Sequence, residues 1–186
     1  MKLNLGKKPY IYPQPVLIVA TYNEDGTPDA MNAAWGGVGD DTQVFLCLSP
    51  EHRTVKNILA RKAFTVSIAD AAHLEQCDYV GIVSGNDVPD KLAKCGLHTE
   101  KSAFVDAPVI SELPVVLECT LISYDPVHCH LFGEIVNTGA DESVCVGNRI
   151  DPAELDPLVY DICGHNYLTL GKVAGKAFAA GKKFIS

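Results

Sequence analysis

The sequence lacks most of the features that would assign a function quickly, and each absence excludes something. No uninterrupted apolar stretch approaches the roughly 20 residues with which a helix crosses a bilayer, so a membrane-spanning protein is not expected. Met1 to Gly6 carry neither the apolar core nor the small-residue cleavage site of a secretory leader, and a cytoplasmic location is expected. No basic run occurs anywhere, and the formal charge of −8 argues against nucleic acid or an anionic membrane surface as partner. The 7 cysteines (47, 77, 95, 119, 129, 145 and 163) include no C-x-x-C pair, which removes zinc-ribbon and thioredoxin readings. Their odd, scattered pattern fits reduced thiols. The Gly-rich fingerprint of a dinucleotide-binding βαβ unit is missing, as are internal repeats and low-complexity tracts.

What remains is a chain of 186 residues, 47% hydrophobic against 20% charged, enough for one domain over 1–186 with a proper core. Val16 to Thr21 is a continuous β-favouring run, as in a strand buried on both faces. Asp25-Gly26 supplies the positive-φ position of a hairpin, and the return strand carries the small and polar residues Met31, Asn32, Ala33 and Ala34 before Trp35. Gly36, Gly37 and Gly39 read as a bend, followed by a third strand over 42–48. Val55, Ile58 and Leu59 then recur at helical spacing from Arg53 onward, and Phe64, Val66 and Ile68 alternate with Thr65 and Ser67 as in a half-buried strand. A second short helix is expected over 69–79, a polar irregular loop over 79–96, two long strands over 115–124 and 131–137, and a short one over 158–162. Strands joined mostly by tight turns imply a mainly β protein: a small antiparallel barrel with two or three short helices.

The chemistry gathers where the first helix opens. Ser49, His52, Arg53 and Thr54 bring hydroxyls, a guanidinium and unpaired backbone N–H groups to a place where the helix dipole favours an anion, so a phosphate would fit. The plainer reading of the same residues is an N-capped surface helix with a solvated arginine. His128 and His130 lie two apart on a strand and could face one metal, but no third ligand is evident. Cys47 and Cys119 sit in apolar strands and read as core, without the basic surroundings of a nucleophilic thiolate. Tyr167 reads as packing or capping, with reach to a substrate as the alternative.

These pieces stand in a known order. Pro15 to Thr21 with Asp25-Gly26, Asn32 to Trp35, Ser49-Pro50 before Arg53-Thr54 and Asn57, Phe64 to Ser67, Tyr79-Val80-Gly81 with Ser84-Gly85, Asp90-Lys91, Ala107 to Ile110, Leu117 to Cys119 and His130 to Ile135 together resemble the flavin reductase-like family of FMN-binding split barrels, in its flavoredoxin-like branch. The resemblance implies a split β-barrel of Greek-key type and FMN as cofactor, with Asn32, Ala33, Ala34 and Trp35 along the flavin ring. It implies Ser49, Arg53 and Thr54 on the ribityl chain and phosphate, with Asn57, Ser84 and Gly85 nearby and Lys91 as a second phosphate cation. It further implies a homodimer that takes electrons from NAD(P)H or from a redox partner protein, with no catalytic side chain and no metal. The alternative is an electron carrier or flavin-binding module without nicotinamide activity. Two departures stand out: Ser67 where many relatives have Asn, which weakens a flavin hydrogen bond there, and Gly36-Gly37 after the tryptophan, which would open the space over the ring.

Overall fold

The computed structural model describes residues 1–185. In chain order the first strands are β1 (Gln14–Pro15), β2 (Leu17–Tyr22), β3 (Pro28–Ala33), β4 (Gly36–Asp40) and β5 (Gln43–Cys47). Helix α1 (Arg53–Arg61), strand β6 (Ala63–Ile68) and helices α2 (Leu74–Ile82) and α3 (Lys91–Lys94) follow. Then come β7 (Thr99–Lys101), β8 (Pro108–Ile110) and the long pair β9 (Val115–Asp125) and β10 (His130–Ala140). The chain continues through β11 (Cys145–Val146), β12 (Arg149–Ile150), α4 (Pro152–Leu155), β13 (Leu158–Asp161) and β14 (Asn166–Thr169). Among the described residues no helix is long and apolar enough to cross a membrane.

Seven strands, ordered β3-β2-β6-β9-β10-β5-β4 and antiparallel throughout, form one sheet curled into a half-barrel. Strand alternation divides the core between its faces. Leu17, Val19, Phe64, Val66 and Leu131 point inward to meet Val55 and Ile58 of α1. Val16, Ile18 and Ala20 point the other way, against Cys77 and Val80 of α2 and Ile110 of β8. A strand serving both layers must be apolar at every position, which is why β2 reads as an unbroken run.

Three expectations need correction. The glycines after Trp35 build the edge strand β4 against β5 instead of a bend. A Cβ on Gly36 would stand 2.7 Å from Leu46 Cδ2 and 2.9 Å from the Phe45 carbonyl oxygen, so glycine there permits close strand packing. Strand β6 is buried on both faces, because the segment around β8 covers Thr65 and Ser67, and Thr65 Oγ1 donates to the Pro108 carbonyl at 2.6 Å. Helix α2 starts only at Leu74, since 69–73 is held by a bridge from Asp70 to Pro157 and by Asp70 Oδ1 accepting the His73 N–H at 2.9 Å. Among the described residues the α-helices number four, two of them single turns of four residues.

Candidate functional site

One cleft of about 310 Å3 gathers Asn32 from β3, His52, Arg53 and Thr54 from the start of α1, Gly81 and Ile82 from the end of α2, Ser84 and Gly85 from the following loop, and Lys91 from α3. Helix α1 enters it without a side-chain cap and with no acidic residue in its first turn. The first N–H groups of a helix have no intrahelical acceptor, so this end offers donors and the positive pole of the dipole. Arg53 adds the decisive atom: its Nε is buried and has no hydrogen-bond partner. Leaving a charged donor buried and unpaired costs free energy, and an anion in the cleft relieves that cost.

Beneath the cleft lies a buried ion pair. Lys91 Nζ stands 3.5 Å from Asp29 Oδ1 and donates to the carbonyl oxygens of Val80 and Val83 at 3.1 Å each. Asp29 Oδ2 accepts the Thr54 hydroxyl at 2.6 Å. Burial pushes the Lys91 ammonium below its ordinary value, and Asp29 pulls it back up. Lys91 therefore borders the cleft while its donors hold the end of α2 in place. The loop is fitted closely here, since a Cβ on Gly85 would fall 2.2 Å from Asp29 Oδ1 and one on Gly81 2.8 Å from Asn32 Cβ. At the outer end, desolvation first and the Lys91 charge second hold the His52 imidazole below its ordinary value.

Asn32, Gly81 and Ile82 are shared with a second cavity of about 390 Å3, completed by Ala34, Asp78, Tyr160, His165 and Tyr167. Asn32 Nδ2 donates to the Cys77 carbonyl at 3.0 Å and to Tyr167 Oη at 3.4 Å, and Tyr167 donates in turn to Asp78 Oδ1 at 2.8 Å. Burial and that bond push the Tyr167 phenol well above its usual value. Tyr160 Oη lies 2.6 Å from His165 Nδ1. A donor-rich cleft thus lies beside an aromatic-walled cavity, the two sharing Asn32, Gly81 and Ile82.

Of the residues singled out from sequence, Asn32, Arg53, Thr54, Ser84, Gly85 and Lys91 meet in the cleft, and Ala34 faces the adjoining cavity. The others lie apart. Ala33 is in the core with Leu17 and Leu46. Trp35 is 52% exposed and lines a separate groove with Ile11, Phe45 and Cys47. Ser49 sits at the turn before α1, and the buried Asn57 donates to Asn23 Oδ1 at 2.9 Å. Asp29, Asp78, Tyr160 and His165 were not found from sequence. The one available signal is the β13–β14 hairpin, whose register sets Tyr160 directly opposite Tyr167.

The fold is shared with known proteins. Residues 10–161 match the family model for the flavin reductase like domain. The chain is similar to the flavoredoxin of Desulfovibrio vulgaris (Miyazaki F), with 35% identity and a TM-score of 0.93 over 98% of this chain and 100% of that one. A flavoredoxin from Methanosarcina acetivorans superposes with a TM-score of 0.89 at 24% identity, covering 99% of each chain. An uncharacterised protein of Aquifex aeolicus is 28% identical over 95% of this chain and 87% of its own length.

Proposed function

The chain belongs to the flavin reductase like domain family, and from that premise we propose that it is an FMN-dependent oxidoreductase. The phosphate of FMN goes to the cleft at the start of α1, on Arg53, Thr54 and the free N–H groups of the helix, and the ring goes toward Asn32 and Ala34. The observation that carries this reading is the buried, unpartnered Nε of Arg53, a charged donor on a residue that lines the cleft, and the cleft shares Asn32, Gly81 and Ile82 with a second cavity. Bound there, FMN would supply the redox chemistry itself, taking two electrons from a reduced nicotinamide and passing them to an acceptor.

The residues of the chain bind, orient and shield. Arg53 neutralises the phosphate, while Asp29 fixes the Thr54 hydroxyl and Lys91 fixes the carbonyls of Val80 and Val83, so that the cleft is formed before the ligand arrives. Asn32 is locked by Cys77 and Tyr167, presenting a fixed amide to the ring. No side chain is assigned an acid or base role in the transfer from the nicotinamide. We place the protein in the cytoplasm, consistent with its free cysteines, and as a homodimer, since an open groove beside Trp35 suits a second wall.

Purified protein with bands near roughly 370 and 450 nm would carry bound oxidised flavin. Anaerobic mixing with NADH and NADPH is expected to bleach those bands. The 35% identity to a flavoredoxin favours a second reading, an electron carrier served by a reduced partner protein. Bleaching by dithionite or such a partner, with neither nicotinamide effective, would select it.

A further inference from the structure

The last stretch of the chain is unlike the rest in charge and in exposure. All 23 acidic residues lie at or before Asp161, whereas segment 170–185 carries Lys172, Lys176, Lys182 and Lys183 and no acid. Phe178 is 98% exposed and Phe184 80%, with Val173 and Ile185 also open to solvent. Backbone hydrogen bonds there run within the segment, from the N–H groups of Ala179, Ala180, Lys182 and Ile185 to the carbonyls of Lys176, Ala179 and Lys182. Among the described residues its lysines make no ion pair. A cationic, apolar arm in open water is a binding element without its partner. Its path is nevertheless not peculiar to this chain, because the superposition on the Desulfovibrio vulgaris flavoredoxin spans 98% of the residues at a TM-score of 0.93.

A surface of matching chemistry exists on the body. At the mouth of the curled sheet, Leu17, Val44, Val66 and Leu117 line an apolar groove of about 280 Å3, with Asp40 and Asp41 on its rim. Neither carboxylate is in an ion pair among the described residues, and the neighbouring Val38 is 89% exposed. The geometry points to the 170–185 arm of one copy docking into this groove on a second copy of the chain, an aromatic side chain in the groove and Lys182 and Lys183 against Asp40 and Asp41. The body, which sets 11 basic residues against 23 acidic ones, attracts such an arm at long range as well. The arm stands clear of its own chain, and a second copy brings the same groove within reach of each arm, giving a two-fold exchange. This inference rests on the homodimer reading and is independent of the flavin.

The test uses two full-length copies with different tags, co-expressed. One carries D40N and D41N, and the other carries Lys182→Gln and Lys183→Gln, so only a contact between copies can join a lysine to a carboxylate through a zero-length carbodiimide link. Mass spectrometry is expected to find peptides containing 182–183 of the first copy joined to those containing 40–41 of the second. Links seen in the parent protein but lost in this pair would put the arm on its own chain and overturn the proposal, as would no link at all. In a second measurement, Lys182→Glu with Lys183→Glu should weaken the dimer at least about tenfold, since four exposed rim ion pairs are lost across the two arms, and adding D40K and D41K should restore it. A dimer that sediments unchanged through both variants would sink the arm while leaving the dimer standing, and a particle of 20.0 kDa in the parent protein would sink both.

Discussion

Lys91 Nζ stands 3.5 Å from Asp29 Oδ1, with both side chains buried, directly under the cleft at the start of α1. The pair brings opposite charges together, so it adds little net charge to the cleft and leaves Arg53 as the cation available to an anion. Removing one partner strands the other in the interior. Lys91→Met alone should therefore cost about 3–5 kcal/mol of stability, whereas Lys91→Met combined with Asp29→Asn should recover a large part of that loss. Urea unfolding of the two variants and the parent measures the difference, and an equal loss in both would mean that the pair contributes little as a pair.

Arg53→Ala should weaken FMN by about 1.5–3 kcal/mol, or about tenfold to a hundredfold in Kd, and leave riboflavin nearly unchanged. Riboflavin lacks the phosphate that Arg53 neutralises. Fluorescence titration with both ligands checks this, and equal losses would put the phosphate elsewhere.

His52 should titrate below the ordinary histidine value near 6.5 in the ligand-free protein, because partial desolvation and the Lys91 charge disfavour its cation. Between the folded and unfolded values the unfolded chain holds more protons, so stability contributed by neutral His52 is present above about pH 6.5 and is lost as pH falls through that window. Adding inorganic phosphate should move the midpoint upward, since an anion in the cleft favours the imidazolium. NMR of the imidazole protons reads both shifts, and an unchanged midpoint with phosphate bound would place the anion away from His52.

Ser67 is fully buried and its hydroxyl has no partner. An unsatisfied buried hydroxyl costs about 1–3 kcal/mol, so Ser67→Ala should be neutral or stabilising, by up to about 1 kcal/mol. Loss of stability in thermal unfolding would mean that the hydroxyl has a partner in solution.

Gly85→Ala should weaken FMN and riboflavin together, because the new methyl group meets Asp29 Oδ1 at 2.2 Å and the loop must move. Affinities that fall for FMN alone would instead confine the loop to the phosphate.

Much of this protein was legible in its sequence. The unbroken apolar run of 16–21, the alternation in 115–124 and the helical spacing of Val55 and Ile58 determined which strands and helix form, since backbone periodicity decides which side chains share a face. Arg53-Thr54 at a helix start marked the cleft proposed for the phosphate, because helix N-termini attract anions whatever the surrounding fold. Tertiary structure decided the rest. Thr65 and Ser67 read as solvent-facing until the segment around β8 covers them, and Gly36-Gly37 read as a bend until the close approach of β5 makes them an edge strand. Lys91 read as a ligand cation, and only the fold pairs it with Asp29, 62 positions earlier in the numbering of the chain. Asp78 and His165 carried no local signal, because a cavity wall is made by elements remote in sequence and only chain folding brings them together.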